Sequence, residues 1–273
     1  MTYRVAMVDT PTGRSGGDEE GVAGRLRVAG CDLDARQWGD GAPGLVVLHD
    51  GLGSVAQWRS LPARLAAATG RTVVAYDRPG HGRSAPVPSG PWPVDWMHDQ
   101  ADVLLAVLDA LGADRPLLLG HSDGGSISLL AAARPTAVVS AVVALAPHSW
   151  VEPVCSDEIG RMRAMGDRVP RALARFHSRP EELFEAWSGV WVSEEFSRWD
   201  IRSEIAAVDV PTLIVQGSGD EYATETQAVE TAAAVGANAR HHIVPDAGHL
   251  LHHQVPGLIV ELVADMVGST AVG

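Results

Sequence analysis

The chain alternates short runs of continuous apolar residues with longer stretches whose apolar positions recur at a spacing near 3.6. The short runs are Leu45–His49, Thr72–Tyr76, Leu117–His121, Val138–Ala146, Thr212–Gln216 and Arg240–Val244. Strands as apolar as LVVLH, PLLLGH and PTLIVQG suit burial on both faces, as in a parallel sheet covered by helices. Between them, 55–69, 96–111, 124–134, 224–235 and 256–267 carry helical periodicity. Strand–helix alternation predicts an open α/β sheet, with ligand chemistry beyond the C-terminal ends of its strands. Ahead of this region, Arg25–Cys31 and Leu33–Trp38 read as two strands joined by a tight turn near Gly30–Asp32.

Two segments depart from the alternation. Residues 10–24 hold five glycines and mixed charge, so 1–24 is expected to be a flexible arm with too little apolar surface to order itself. Residues 150–208 contain no strand-like run, yet hold all three Phe (176, 184, 196) and four of the eight Trp (150, 187, 191, 199). The position predicts a helical lid inserted between core segments 25–149 and 209–273; the same rings would also serve as the insertion's own small core. Within it, Arg168, Arg171, Arg175 and Arg179 are expected on one face of a helix starting at Pro170. That face reads as a cationic rim for an acidic substrate or, more simply, as a solvated surface.

Composition narrows the chemistry. Every one of the 21 basic residues is Arg, which removes Schiff-base, pyridoxal-phosphate and P-loop lysine chemistry. The two cysteines, Cys31 and Cys155, are too far apart in sequence for a C-x-x-C redox pair or a zinc ribbon. A net charge of −13 repels nucleic-acid phosphates and anionic bilayers, so neither nucleic acid nor membrane is an expected partner. The start lacks the basic and apolar blocks of a signal peptide, and the most apolar stretch, Ala137 to Ala146, is too short to span a bilayer. A soluble, cytoplasmic protein acting on a small molecule is the expectation.

The sharpest motif is Gly120-His121-Ser122-Asp123-Gly124, placed between an apolar strand and a helical run. A G-x-S-x-G sequence there predicts a strained elbow that lifts the Ser122 hydroxyl, with helix N–H groups aimed at any oxyanion formed beside it. A serine hydroxyl needs a base, itself oriented by an acid. Asp220, after the strand TLIVQ, and His249, after the next strand, supply them in the order Ser…Asp…His. Asp246 competes as the acid. His252 and His253 compete as the base or, with His249, imitate a metal site; no carboxylate at ligand spacing joins them, so no metal is expected and they read as solvated helix-start residues.

Together with His49-Asp50-Gly51-Leu52-Gly53-Ser54, Asp77-Arg78-Pro79-Gly80-His81-Gly82-Arg83-Ser84 and Gly248-His249 before Pro256, the elbow resembles that of a lidded α/β-hydrolase over about residues 26–268. The resemblance implies an α/β-hydrolase fold: an eight-stranded, mostly parallel sheet, helices on both faces and the lid inserted after the sixth strand. It also implies no cofactor, and an oxyanion hole made by the N–H groups of Asp123 and of Gly51, or of Leu52 if the loop is shifted by one. Asp50 stands where the family usually has glycine, which leaves that register open. The Asp123 side chain suits the first helical turn, or shapes pocket polarity. Leu52, Trp150, Trp187 and Trp191 are the expected pocket residues. The implied reaction is hydrolysis of a small to medium, largely apolar, uncharged ester, thioester or lactone through an acyl-enzyme. The alternatives are C–C bond hydrolysis of a dienoate-type diketone, whose enzymes usually carry Asn where His121 stands, a cyclase-like non-hydrolytic enzyme, and a ligand receptor.

Overall fold

The computed structural model describes residues 20–28, 30–86 and 90–270. Eight strands form one sheet: β1 (Val22–Val28), β2 (Cys31–Trp38), β3 (Leu45–Leu48), β4 (Val73–Tyr76), β5 (Leu117–His121), β6 (Ala141–Leu145), β7 (Thr212–Gly217) and β8 (Ala239–Val244). Their spatial order is β1-β2-β4-β3-β5-β6-β7-β8. β1 and β2 pair antiparallel, as do β2 and β4; every other neighbour pair is parallel. The chain leaves β3 toward β4 on one side and later returns as β5 on the other, so the topological switch point lies between β3 and β5. The loop after β3 and the elbow after β5 therefore face each other across the crevice where α/β sheets bind ligands.

Ten α-helices complete the described chain: α1 (Leu61–Thr69), α2 (Trp96–Ala110), α3 (Asp123–Ala132), α4 (Pro153–Ala164), α5 (Arg168–Leu173), α6 (Pro180–Trp191), α7 (Arg202–Ile205), α8 (Glu225–Val235), α9 (Leu251–Gln254) and α10 (Pro256–Thr270). Alternation along the strands assigns the two faces. Leu45, Val47, Leu117 and Leu119 pack with Leu61 and Leu65 of α1 and with Ile259 and Val263 of α10. Val46, Leu48 and Leu118 pack on the opposite face with Leu104 of α2, Ile127 of α3 and Ala228 of α8. Each wholly buried Leu or Val contributes roughly 1.5–3 kcal/mol relative to exposure. Among the described residues, no helix is long and apolar enough to cross a membrane.

Several boundaries differ from the sequence reading. Val22, Ala23 and Gly24, expected in the arm, already pair with Gln37, Arg36 and Ala35, because antiparallel pairing with β2 supplies order that apolar content does not. Residues 1–19 of the expected arm lie outside the described residues. Val28 pairs with Cys31, so the reversal is tighter than Gly30–Asp32, and Cys31 and Asp32 belong to β2. The run from Val138 becomes a strand only at Ala141, where pairing with Leu117 begins. α4 to α7 all fall between β6 and β7. The four arginines do not share a helix face, since α5 ends at Leu173 and Arg175 and Arg179 lie beyond it. Instead Arg171 pairs with Asp167, Arg179 with Glu182, and Arg175 covers the Phe176 ring.

Candidate active site

The elbow rests on two missing side chains. A Cβ on Gly120 would lie 2.1 Å from Gly124 O, and one on Gly124 would lie 2.4 Å from Leu48 O. With that space empty, α3 approaches β5 closely enough for a one-residue turn at Ser122, held at φ 52°, ψ −121°. A non-glycine residue there stores about 1–3 kcal/mol of strain. Flanking bonds hold it: Ser122 N–H donates to Leu145 O at 2.8 Å, and Ser122 O accepts from Gly125 N–H at 2.8 Å. Asp123 is the first residue of α3, so its N–H has no intrahelical acceptor.

His249 and Asp220 arrive on the loops after β8 and β7. His249 Nδ1–H donates to Asp220 Oδ2 at 2.8 Å, which fixes the tautomer and leaves a lone pair on Nε2. The Asp220 carboxylate also accepts Tyr222 N–H at 2.8 Å and the Gln216 amide. Burial alone would raise Asp220 and lower His249. Their mutual charge and hydrogen bond prevail, so Asp220 lies below the usual aspartate value and His249 above 6.5. Asp246 is exposed, at φ 58°, on the outer side of the His249 loop, and its N–H donates to Ser218 Oγ.

The loop after β3 is clamped by its carbonyl groups. Arg78 Nη2 donates to Asp50 O at 2.7 Å, as does His49 Nδ1–H at 2.8 Å. His81 Nε2 sits 3.0 Å from Gly51 O, and His177 Nε2–H donates to Leu52 O at 3.0 Å. Because C=O and N–H of a trans peptide point in opposite directions, anchoring Asp50 O turns the Gly51 N–H away from Arg78. Leu52 N–H is taken by Asp50 Oδ1 at 3.0 Å. His49 accepts Arg78 N–H on Nε2 and is buried beneath the loop. His177 belongs to the insertion and also accepts Gly82 N–H on Nδ1, so it bridges α5 to the core.

Ser122, His249, Gly51, Leu52, Trp187 and Trp191 line one cavity of about 180 Å³. Among the described residues no hydrogen bond joins Ser122 Oγ to His249; both open onto this shared space. Trp150 is not in the lining: its ring carries the Arg202 guanidinium, and its backbone bridges to Asp200. Phe196 and Trp199 stack on each other, and Trp191 meets Phe196 edge-on, so part of the aromatic insertion is a small core of its own. A larger groove of about 680 Å³ lies outside, between α6 and the Trp92 segment, and none of these catalytic candidates lines it.

Three carboxylates also face the cavity: Asp50, Asp123 and Glu221. Asp123 Oδ2 accepts Trp187 Nε1–H at 2.8 Å, while its Oδ1 is buried without a partner; burial pushes Asp123 up to about 6. Glu221 Oε2 accepts His249 N–H at 3.1 Å. His148, another lining residue, is pushed down to about 4, first by burial and then by the neighbouring His249. It follows β6, so its position at a strand's C-terminal end was the signal that sequence reasoning passed over. His252 is not solvated: it is buried, with its ring 4.6 Å from those of both Trp58 and His121.

Residues 45–262 match the model of the alpha/beta hydrolase family. A non-heme haloperoxidase of Rhodococcus erythropolis is 29% identical over 253 residues, covering 81% of this chain and 90% of that protein. Human serine hydrolase BPHL is 26% identical over 243 residues, covering 85% and 81%. The crystal structure of an enol-lactonase from Burkholderia xenovorans LB400 superposes with a TM-score of 0.69 at 24% identity, covering 89% of this chain and 99% of that one. With four-fifths of its length inside the family match and the sheet order described above, the chain belongs to the alpha/beta hydrolase family.

Proposed function

We propose that the protein is a serine hydrolase that cleaves a small, largely apolar, uncharged ester, thioester or lactone through an acyl-enzyme. The observation that carries this reading is the convergence on one cavity of Ser122, the His249 imidazole with its Nδ1–H spent on Asp220, and the residues Gly51 and Asp123. His249 Nε2 takes the Ser122 proton as the hydroxyl attacks the carbonyl carbon. Asp220 stabilises the imidazolium, and the Gly51 and Asp123 amides receive the oxyanion. Each such donor is worth roughly 10²–10³ in kcat. His249 then protonates the leaving group, and a water activated the same way releases the acid. Leu52 N–H is already committed to Asp50, which favours Gly51 as the first donor.

Substrate size and charge follow from the lining. A cavity of about 180 Å³ is smaller than the ~300–1,000 Å³ of pockets that enclose drug-sized ligands, so the acyl portion is short. Trp187 and Trp191 from α6 give the cavity an apolar wall, the part of the insertion we assign as a lid. Three carboxylates and no arginine line it, which leaves an anionic dienoate without a counter-charge and places C–C hydrolysis behind ester hydrolysis. A fluorophosphonate probe tests the reading. Labelling should vanish in Ser122→Ala and slow strongly in His249→Ala, and a panel of short-chain esters should turn over while dienoates do not. Folded protein that neither labels nor hydrolyses any ester would refute it.

A further inference from the structure

Asp50 occupies a loop position where the family usually has glycine, and its two carboxylate oxygens serve different parts of the site. Oδ1 accepts Leu52 N–H at 3.0 Å, closing a side-chain turn within the loop, while Gly53 N–H closes the backbone turn onto Asp50 O at 3.1 Å. Oδ2 faces His121 Nδ1 at 3.4 Å. His121 is wholly buried and immediately precedes the nucleophile. Its Nε2 lies 2.9 Å from the carbonyl oxygen of His249 and must donate, since a carbonyl only accepts, so the link to Asp50 is made by the imidazolium form, whose Nδ1–H donates to Oδ2. One carboxylate and one imidazole therefore connect the oxyanion loop, the end of β5 beside Ser122, and the backbone of the general-base residue. These stations come from three separate loops of the chain, at residues 50–52, 121–122 and 249.

We propose that Asp50 and His121 act as a positioning pair that locks these three loops in mutual register, with Asp50 selecting Gly51 N–H as the oxyanion donor by occupying Leu52 N–H. This rests on the serine-hydrolase reading above. The pair touches no reacting atom. Its effect is on how closely the donor, the hydroxyl and the imidazole keep the geometry of attack, where a displacement of about 1 Å costs roughly 10²-fold in rate.

The test compares wild type, Asp50→Ala, Asp50→Asn, His121→Asn and the Asp50→Ala/His121→Asn double variant on one short-chain ester. Active sites are titrated with fluorophosphonate, so that kcat is counted per reactive serine and misfolded protein does not enter. Asp50→Ala is expected to lower kcat per site by roughly 10²-fold with KM little changed. Asp50→Asn, which keeps an acceptor for Leu52 N–H and loses the charge facing His121, should recover part of that loss. The double variant should be no slower than the slower single variant, because both break the same link. A merely structural role would lower the number of titratable sites or the thermal midpoint and leave kcat per site intact. Asp50→Ala with kcat per site equal to wild type, or losses that multiply in the double variant, would overturn the pairing while leaving the hydrolase reading standing. Wild type with no titratable serine would remove both. Should His121→Asn fail to give a cooperative melt, Asp50→Ala alone decides.

Discussion

Gly51→Ala tests how the helical insertion is joined to the chemistry. The backbone at Gly51 has no positive φ, so alanine meets no conformational penalty there. The obstacle is space: its Cβ would lie 2.1 Å from Trp187 Nε1, 2.5 Å from Trp187 Cε2 and 2.5 Å from Asp123 Oδ2. The indole is stiff and Asp123 is anchored on the first turn of α3, so the added methyl must part the two and break their 2.8 Å hydrogen bond. Overpacking of this kind costs about 1–3 kcal/mol, and a lost hydrogen bond to a buried charged group about 1.5–3 kcal/mol. The expected destabilisation is therefore about 2.5–6 kcal/mol, or roughly 4–10 °C in the melting midpoint of a chain this size. Urea unfolding followed by circular dichroism and tryptophan fluorescence measures it. The decisive comparison is the same substitution in a Trp187→Ala background, where the space is already open and Gly51→Ala should cost under about 1 kcal/mol. A loss that is the same with and without the indole would show that the clash is relieved elsewhere and that Trp187 does not bear on the oxyanion loop.

Three further substitutions probe the proposed triad and the elbow beneath it. Asp220→Asn should cut kcat by roughly 10⁴-fold, whereas Asp246→Asn should leave steady-state rates near wild type; the opposite pattern would transfer the acid role to Asp246. In wild type, His249 must be neutral to act as base and its pKa is raised above 6.5, so kcat/KM should climb with pH along a limb lying above 6.5. In Asp220→Asn the residual activity should show that limb at lower pH, because the carboxylate that favours the imidazolium is gone. Gly120→Ala places a Cβ 2.1 Å from a backbone oxygen that cannot swing aside, and should cost more than about 3 kcal/mol in thermal or urea unfolding.

Much of the fold and the elbow was legible because both are written in local chemistry. Apolar runs such as Leu45–Leu48 and Leu117–His121 pair as parallel neighbours with both faces covered. The glycines around Ser122 are the residues whose Cβ atoms would strike backbone across the turn. What the sequence left open depended on docking angles. Trp150 and Trp187 belong to the same aromatic segment, yet only the rotational phase of α6 on the core turns Trp187 toward Asp123, while the Trp150 ring lies under Arg202 and outside the cavity lining. His252 follows a loop and looks solvated in the one-dimensional pattern, but α9 folds it back against Trp58 and His121. The proposed preference for Gly51 over Leu52 could not be read from spacing, because it rests on a single bond from Leu52 N–H to the Asp50 side chain.

In the proposed hydrolase, the contacts around the loop after β3 separate fixed chemistry from adjustable specificity. A loop containing Gly51 and Gly53 has little side-chain packing of its own, and an unanchored peptide would pay its ordering cost in every turnover. Here Asp50 O and Gly51 O are held from the core by Arg78 and His81, on the turn after β4. Leu52 O is held by His177, which reaches in from the insertion and accepts Gly82 N–H from that same turn. Only the last of these anchors, with Trp187 on Asp123, depends on how α4 to α6 sit. Changes in the apolar wall of α6 can thus alter what fits above Ser122 while the peptide carrying the Gly51 N–H stays aimed. In the proposed mechanism such preorganisation costs little at the moment of reaction, since the dipoles need not turn as negative charge develops. His177 is the exception built into this division: burial lowers its pKa below 6.5, and it serves both partners only as a neutral imidazole, accepting on Nδ1 while donating from Nε2. Through that ring, and through the Trp187 indole packed against Gly51, the position of the insertion and the proposed aim of the Gly51 N–H remain coupled.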